Sequence, residues 1–119
     1  KSYFTTKILR IIIMSDQIRA SHILINHADA PQANSELSAE DAMTQILALK
    51  SEIEDGKPFA QAASEKSNCP SAQKGGDLGS FGRGAMVPEF DKASFELEVG
   101  AVSDVIETVF GYHLIYRTE

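Results

Sequence analysis

The sequence of 119 residues contains no tryptophan, only one cysteine and four prolines. A single cysteine, Cys69, cannot form a disulfide within the chain, so a disulfide framework is excluded and a reducing compartment is favoured. No apolar segment approaches the roughly 18 residues that a membrane-spanning helix requires. The composition therefore predicts a single cytoplasmic domain without a membrane anchor.

Positive charge is also scarce. Eleven Lys and Arg residues stand against 17 Asp and Glu residues, which gives a net charge of −6. No Lys or Arg occurs between Ala20 and Leu49. An acidic surface of this kind disfavours nucleic acid and anionic lipid as partners.

The first 13 residues differ from the rest, because they carry basic residues and no acidic one. Met14-Ser15-Asp16 resembles an ordinary start, so we expect residues 1–13 to be an extension outside the fold and residues 14–119 to form the domain. A degenerate signal peptide is the alternative. It is disfavoured because Arg10 interrupts the apolar run and no small-residue cleavage site follows.

The spacing of apolar residues predicts the order of the elements. Residues 18–26 alternate and then run apolar, as in a buried strand, and a polar loop follows. Ser38 is placed to cap a helix that ends at Gly56. Two further helices are predicted over 59–66 and 88–96, and three further strands over 77–82, 102–110 and 112–118. The order β-α-α-β-α-β-β predicts an α+β domain whose antiparallel sheet is covered by helices, with room for one more short helix.

The segment GGDLGSFGRGAMVPEF, residues 75–90, has five glycines in its first ten residues. A phosphate-binding loop is disfavoured, because no Lys-Ser/Thr follows Gly84 and no third glycine completes Gly-x-Gly-x-x-Gly. Arg83 is the only cation near the turn, and we expect Asp77 to oppose it. The alternative is that the glycines form tight turns and bulges.

Two histidines lie on predicted strands, His22 in the first and His113 in the last. Strands far apart in sequence commonly pair at the centre of a sheet, so we expect the two side chains to be neighbours. No metal site is predicted, since a third ligand is not evident and His27 lies in the loop. A nucleophilic Cys69–histidine pair has little support, because Pro70 follows and no helix N-terminus activates the thiol.

Five motifs occur in order along the chain: SHILI, NCPS, GGDLG, MVPEF and FGYHLI. In this order and spacing, over about residues 18–117, the sequence resembles the parvulin-type peptidyl-prolyl cis-trans isomerases. The resemblance implies a four-stranded antiparallel sheet surrounded by helices and no cofactor. It also implies a monomer that assists protein folding by rotating X-Pro bonds in peptides and unfolded protein clients.

The resemblance also implies roles for individual residues. An apolar pocket for the substrate proline ring would be formed by Leu78, Met86 and Phe90. The catalytic positions would be His22, Cys69, Thr108 and His113, with Cys69 near the substrate carbonyl. Phe110 stands two residues after Thr108, where some members of the family have Ser.

One branch of the family requires a phosphorylated residue before proline and binds it through a basic cluster in the loop after the first strand. Here that loop, NHADAPQANSELSAED, contains acids and no Lys or Arg. We therefore expect phosphate-independent activity on ordinary X-Pro bonds. The resemblance further implies non-covalent activity, because the family accepts Asp at the position of Cys69. A non-catalytic binding module that uses the same groove is the competing interpretation, and the presence of all seven expected residues disfavours it.

Overall fold

The computed structural model describes residues 17–31 and 35–119. The expected extension, residues 1–13, lies outside these ranges. The elements in chain order are β1 (Gln17–Ile25), α1 (Ala39–Glu54), α2 (Phe59–Lys66), a 3₁₀ helix (Pro70–Lys74), β2 (Asp77–Gly82), α3 (Pro88–Glu96), β3 (Ile106–Thr108) and β4 (Gly111–Arg117). The predicted order is confirmed, and the further short helix is the 3₁₀ helix. No helix in the described ranges is both long enough and apolar enough to cross a membrane.

Within the described residues the sheet has four antiparallel strands in the spatial order β2-β1-β4-β3. The first and last strands occupy the centre, as predicted, and pair from Ala20 opposite Arg117 to Ile25 opposite Tyr112. The centre suits β1 because its residues from Ala20 to Ile25 are all buried. Continuous burial over this length shows that the strand is covered on both faces.

The two faces of the sheet are covered by different helices, because side chains alternate along each strand. The first face packs against α1 and α2 around one core, which includes Ile23, Ile25, Ala42, Ile46, Leu49, Ala62 and Leu114. The second face packs against α3 around another, which includes Ile18, Ala20, Phe81, Phe90, Phe95 and Ile115. The chain therefore has two apolar layers, one on each side of a single sheet.

Helix α1 begins where the sequence predicts. Ser38 Oγ accepts a hydrogen bond from Asp41 N at 3.0 Å, which satisfies one of the main-chain donors left unpaired in the first turn. Ala42, Ile46 and Leu49 are buried, at the spacing of one helical face. Because α1 and α2 cover the first face, the second face is left to the nine-residue α3.

The predicted strand over residues 102–110 is wrong in its length, since regular pairing is confined to Ile106–Thr108. Ser103 explains the difference. Its Oγ accepts a hydrogen bond from Ile115 N at 2.9 Å, while its own N donates to Ile115 O at 2.8 Å. A side-chain oxygen thus replaces a main-chain carbonyl at this point and interrupts the ladder. Val102 retains only an isolated bridge to Tyr116.

Two of the glycines turn the chain from the 3₁₀ helix into β2. Gly75 and Gly76 have φ angles of +67° and +85°, which favour glycine. His22 N donates to Gly76 O at 2.9 Å, and a Cβ on Gly76 would collide with the main-chain oxygen of His22. The turn therefore lies directly against the strand that carries His22, and only glycine permits this approach.

Replacing Gly76 with Ala is expected to destabilise the fold more than replacing Gly79. Gly79 also has a positive φ, but a Cβ there would meet nothing within 4 Å. Gly79→Ala should therefore lose about 1 kcal/mol for the left-handed backbone alone. Gly76→Ala adds a collision with main chain, so it should lose about 3 kcal/mol or more. Urea unfolding measures both, and equal losses would contradict the close approach.

Candidate active site

Two histidine side chains meet on the second face of the sheet. His22 lies opposite Ile115 and His113 lies opposite Leu24, so the histidines are diagonal neighbours on the two central strands. Their Nδ1 atoms are 3.1 Å apart, and the rings are stacked at 25° with centroids 5.3 Å apart. Both residues are buried, with 6% and 3% of their surface exposed. The expected neighbourhood of the histidines is therefore present, and the register of β1 and β4 creates it.

Thr108 determines where the hydrogens of the pair lie. Its Oγ1 is 2.6 Å from His113 Nε2 and accepts a hydrogen bond from Phe110 N at 3.2 Å. If the Thr108 hydroxyl donates to His113 Nε2, then His113 Nδ1 carries a hydrogen and donates it to His22 Nδ1. Only the Nε2 hydrogen of His22 then lacks a partner among the described residues. The opposite direction would also leave the Thr108 hydrogen without one, so the first arrangement is favoured.

Burial keeps both imidazoles neutral. It lowers the pKa of His22 from 6.5 to about 4. Burial, and then repulsion from His22, lowers the pKa of His113 to about 3. Removal from water disfavours the charged form of histidine, which gives the direction of both shifts. The pair is therefore uncharged at pH 7 and forms a hydrogen-bonded polar floor within an apolar region.

Phe90 on α3 lies across the two histidines. Its ring is perpendicular to both, with interplanar angles of 79° and centroid distances of 5.5 Å in each case. Phe90 is itself buried, and Leu78 and Met86 pack partly buried against the same apolar cluster. The structure thus brings the three residues of the expected proline pocket into one cluster, with the histidine pair beside it.

Cys69 lies in the turn between α2 and the 3₁₀ helix and is half-buried. Its main-chain N donates to Ser67 Oγ at 3.3 Å, and the same oxygen accepts a hydrogen bond from Leu24 N at 3.0 Å. The turn is therefore attached to β1, two residues beyond His22. Within residues 17–31 and 35–119 the thiol forms no hydrogen bond with either histidine, so a Cys69–histidine nucleophile pair gains no support.

The expectation that Asp77 opposes Arg83 is wrong. Asp77 instead pairs with Arg19, whose Nη2 lies 2.5 Å from Oδ2, and this hydrogen bond lowers the pKa of the Asp77 carboxyl. The cause is the pairing of β2 with β1, which places Asp77 opposite Ser21, on the side of β1 that carries Arg19. The Arg83 guanidinium lies 4.4 Å from the centroid of the Phe95 ring, where it covers apolar surface.

Two asparagines that the motifs did not mark as site residues, although Asn68 begins NCPS, also form hydrogen bonds at this site. Asn26 Nδ2 donates to Phe110 O at 2.6 Å, and Asn68 Oδ1 accepts a hydrogen bond from Asn26 N at 2.8 Å. The available signal was an asparagine directly after a buried strand. A side-chain amide at that position can pair main-chain groups that the sheet no longer satisfies.

Metal-ligating side chains do not gather in the described part of the chain, where no three His, Cys, Asp or Glu residues could hold one ion. What the site offers is two neutral rings, one hydroxyl and a set of apolar side chains. Such a set can hold an uncharged ring and the amide beside it.

Comparison with known proteins identifies the family of the chain. A family model described as the PPIC-type PPIASE domain matches residues 3–119. Peptidyl-prolyl cis-trans isomerase Pin1 from Digitalis lanata is 41% identical, over 87% of this chain and 98% of that protein. Foldase protein PrsA from Geobacillus sp. (strain WCH70) is 42% identical, over 87% of this chain but only 32% of that protein.

Comparison with solved structures points to the same family. The structure of peptidyl-prolyl isomerase ESS1 from Candida albicans matches with a TM-score of 0.80 and 32% identity, over 87% of this chain and 63% of that chain. The expected four-stranded antiparallel sheet with surrounding helices is confirmed as the parvulin fold. The chain belongs to the PPIC-type PPIase family, the parvulins, and is a peptidyl-prolyl cis-trans isomerase.

Proposed function

We propose that the isomerase binds and rotates X-Pro bonds on the second face of its sheet, at Phe90 and the histidine pair. Phe90, Leu78 and Met86 hold the proline ring. His22, His113 and Thr108 form the floor beside the rotating bond. The observation that carries the proposal is the perpendicular contact of Phe90 with two buried, neutral histidine rings.

Rotation of a peptide bond breaks amide resonance and has a barrier of about 18–20 kcal/mol. The two isomers of an X-Pro bond differ by only about 0.5–1 kcal/mol, so both are present and exchange slowly. A catalyst therefore needs only to bind the twisted amide more tightly than either planar form. Each tenfold acceleration requires about 1.4 kcal/mol of such preference.

A neutral, apolar surrounding provides this preference. A twisted amide has less charge on its oxygen than a planar one, so it loses less when the site withholds water from the carbonyl. Because burial lowers the pKa of both histidines far below 7, the pair carries no charge that would stabilise the planar form. We assign His22 and His113 a structural and electrostatic role, with Thr108 fixing their hydrogen positions.

Rotation by this site is non-covalent. Cys69 contributes polar surface near the substrate carbonyl and does not act as a nucleophile. A nucleophilic thiol needs an adjacent base or a helix N-terminus, and Cys69 precedes only a five-residue 3₁₀ helix. The nearest hydrogen bonds of its turn run to Ser67 and β1, which hold the main chain in place.

Substrates need no phosphate. In the loop that follows β1, Asp29 and Glu36 are exposed, and the sequence places no Lys or Arg between Ala20 and Leu49. A phosphorylated residue beside proline would therefore approach negative rather than positive charge. The three arginines in the described residues already have partners. Arg19 pairs with Asp77, Arg83 lies over the Phe95 ring, and Arg117 donates to the main-chain oxygens of Leu97 and Glu119.

The cellular role follows from the activity. The enzyme assists folding by accelerating isomerisation in unfolded protein clients, and its similarity to a protein named a foldase supports this. We further propose that it acts as a monomer in the cytoplasm, and the lone cysteine supports a reducing compartment. Residues 14–119 would form the working domain.

The proline pocket is tested by two matched substitutions on α3. Phe90 and Phe95 are both buried in the same apolar cluster, but only Phe90 contacts the histidines. Phe90→Leu should lower kcat/KM at least about tenfold, whereas Phe95→Leu should stay within about twofold of wild type. Both should lose similar stability, about 1–2 kcal/mol. A protease-coupled assay on a proline peptide measures the activities, and unfolding in urea measures the stabilities.

Equal activity losses in the two variants would contradict the placement of the pocket. If the wild-type protein bound proline peptides without isomerising them, and Phe90→Leu weakened that binding, the chain would be a non-catalytic binding module on the same surface.

The buried histidine pair predicts that stability falls in mild acid. Because burial lowers the folded-state pKa values to about 4 and about 3, the unfolded chain binds more protons than the folded chain as the pH falls below 6.5. Each histidine should reduce the free energy of unfolding by up to about 1.4 kcal/mol per pH unit. Urea unfolding from pH 7 to 5 should show this loss, and His22→Asn should show a smaller slope. An unchanged slope in the variant would contradict the buried neutral pair.

Phosphate independence is tested with paired peptides that contain either Ser-Pro or phosphoserine-Pro. The phosphorylated peptide should have an equal or lower kcat/KM, because negative charges repel it. Raising the salt concentration should bring the two values closer, since salt screens that repulsion. A phosphorylated peptide that turned over markedly faster would contradict the proposal.

A further inference from the structure

Asn26 lies at the end of β1, between the two segments that flank the histidine pair. On one side is the hairpin tip between β3 and β4, which follows Thr108. On the other is the turn that carries Cys69. Asn26 and Asn68 bond to each other and to both segments, and we refer to these two residues as the asparagine clamp.

The hairpin side of the clamp leads to the histidines through consecutive hydrogen bonds. Asn26 Nδ2 donates to Phe110 O at 2.6 Å. Phe110 N donates to Thr108 Oγ1 at 3.2 Å, and that oxygen lies 2.6 Å from His113 Nε2. The Phe110 N–H occupies one acceptor site of the Thr108 oxygen, so the position of Phe110 limits the directions in which the hydroxyl can point. The side chain of Asn26 is hydrogen-bonded to the main-chain carbonyl of the same Phe110.

The other side of the clamp fixes the turn before the 3₁₀ helix. Asn68 N donates to Leu24 O at 2.7 Å, and Asn68 Oδ1 accepts a hydrogen bond from Asn26 N at 2.8 Å. Asn68 is therefore hydrogen-bonded to the end of β1 through both its main chain and its side chain. Cys69 follows directly, so these two bonds, together with those of Ser67 Oγ to Leu24 N and Cys69 N, set its distance from the strand.

We propose that Asn26 and Asn68 are positioning residues for the isomerase reaction, which hold the Thr108 hairpin and the Cys69 turn at a fixed separation across the end of β1. The inference rests on the proposed function of the histidine floor. Neither residue needs to touch the substrate. The clamp acts through Phe110 and Thr108 on the direction of the hydrogen bonds in the histidine pair.

The two asparagines use opposite hydrogen-bonding groups. Asn26 must donate, because its partner is a carbonyl oxygen, whereas the side chain of Asn68 must accept, because its partner is an N–H group. Aspartate has nearly the same shape but only accepts when ionised. The same substitution should therefore break the Asn26 bond and preserve the Asn68 bond, while adding the same charge.

The experiment compares Asn26→Asp with Asn68→Asp and Asn68→Ala in the full chain. Asn26→Asp should lower kcat about tenfold with KM little changed. The reason is that a change in the direction of the hydrogen bonds in the histidine pair affects rotation of the amide more than binding of the substrate proline ring. Asn68→Ala should lower kcat about threefold, and Asn68→Asp should restore most of that loss. Gln45→Glu, at an exposed position of α1, adds the same charge away from the site and should leave kcat unchanged.

The ring ¹⁵N chemical shifts of His22 and His113 provide a readout that a purely structural role would not move. Asn26→Asp should alter the tautomer signals of His113, and Asn68→Asp should leave them as in wild type. Equal kcat losses in the two aspartate variants, or unchanged His113 signals in Asn26→Asp, would overturn the proposal.

The experiment distinguishes failure of the asparagine-clamp proposal from failure of the proposed function, and a second variant covers the case of misfolding. If wild type had no isomerase activity, the proposed function would fail, and the histidine signals alone would decide whether the clamp orients the pair. If Asn26→Asp did not fold, Asn26→Ala removes the donor without adding charge and is measured in the same way. A wild-type kcat in that variant would equally overturn the proposal.

Discussion

The pairing of β1 with β4 is the constraint on which the rest of the site depends. It joins residues 91 positions apart and sets His22 and His113 as diagonal neighbours on one face. A shift of one residue in register would turn one histidine to the other face, where Ile23 and Leu114 belong to the core. The apolar residues that stabilise the sheet therefore also fix the geometry of the histidines, and neither can change alone.

Burial has a second consequence, because the centre of a covered sheet is where a charge is least stable. The same position that brings the histidines together keeps them neutral, and α3 completes the enclosure by placing Phe90 across both rings. In the proposed site, hydrogen-bonding groups lie beside the apolar centre, on Thr108, Asn26 and the turn around Asn68. An apolar centre with an ordered polar border suits a substrate that must be held without being charged.

Much of the fold and part of the site could be predicted from the sequence. The difference between what could and what could not be predicted has a physical cause. The Ser38 cap and the buried run of β1 are local, so periodicity and capping rules suffice to find them. The proline pocket was predicted by family motifs, which periodicity alone does not supply. The partner of Arg19 and the short extent of β3 could not be predicted, because they depend on strand register and on the hydroxyl of Ser103. The asparagine bonds join segments 42 and 84 residues apart, so no local pattern reveals them.

The pKa values of the pair argue for what the histidines do. A residue that transfers protons works best when its pKa is near the working pH. Values of about 4 and about 3 leave both rings neutral at pH 7, where they are poor acids and weak bases. Isomerisation of an X-Pro bond transfers nothing, so a pair of this kind is suited to it and poorly suited to hydrolysis. The acidic exterior of the protein and its uncharged histidine pair are therefore compatible, since charge contributes to which peptides approach and, in the proposed function, the neutral pair lies beside the bond that rotates.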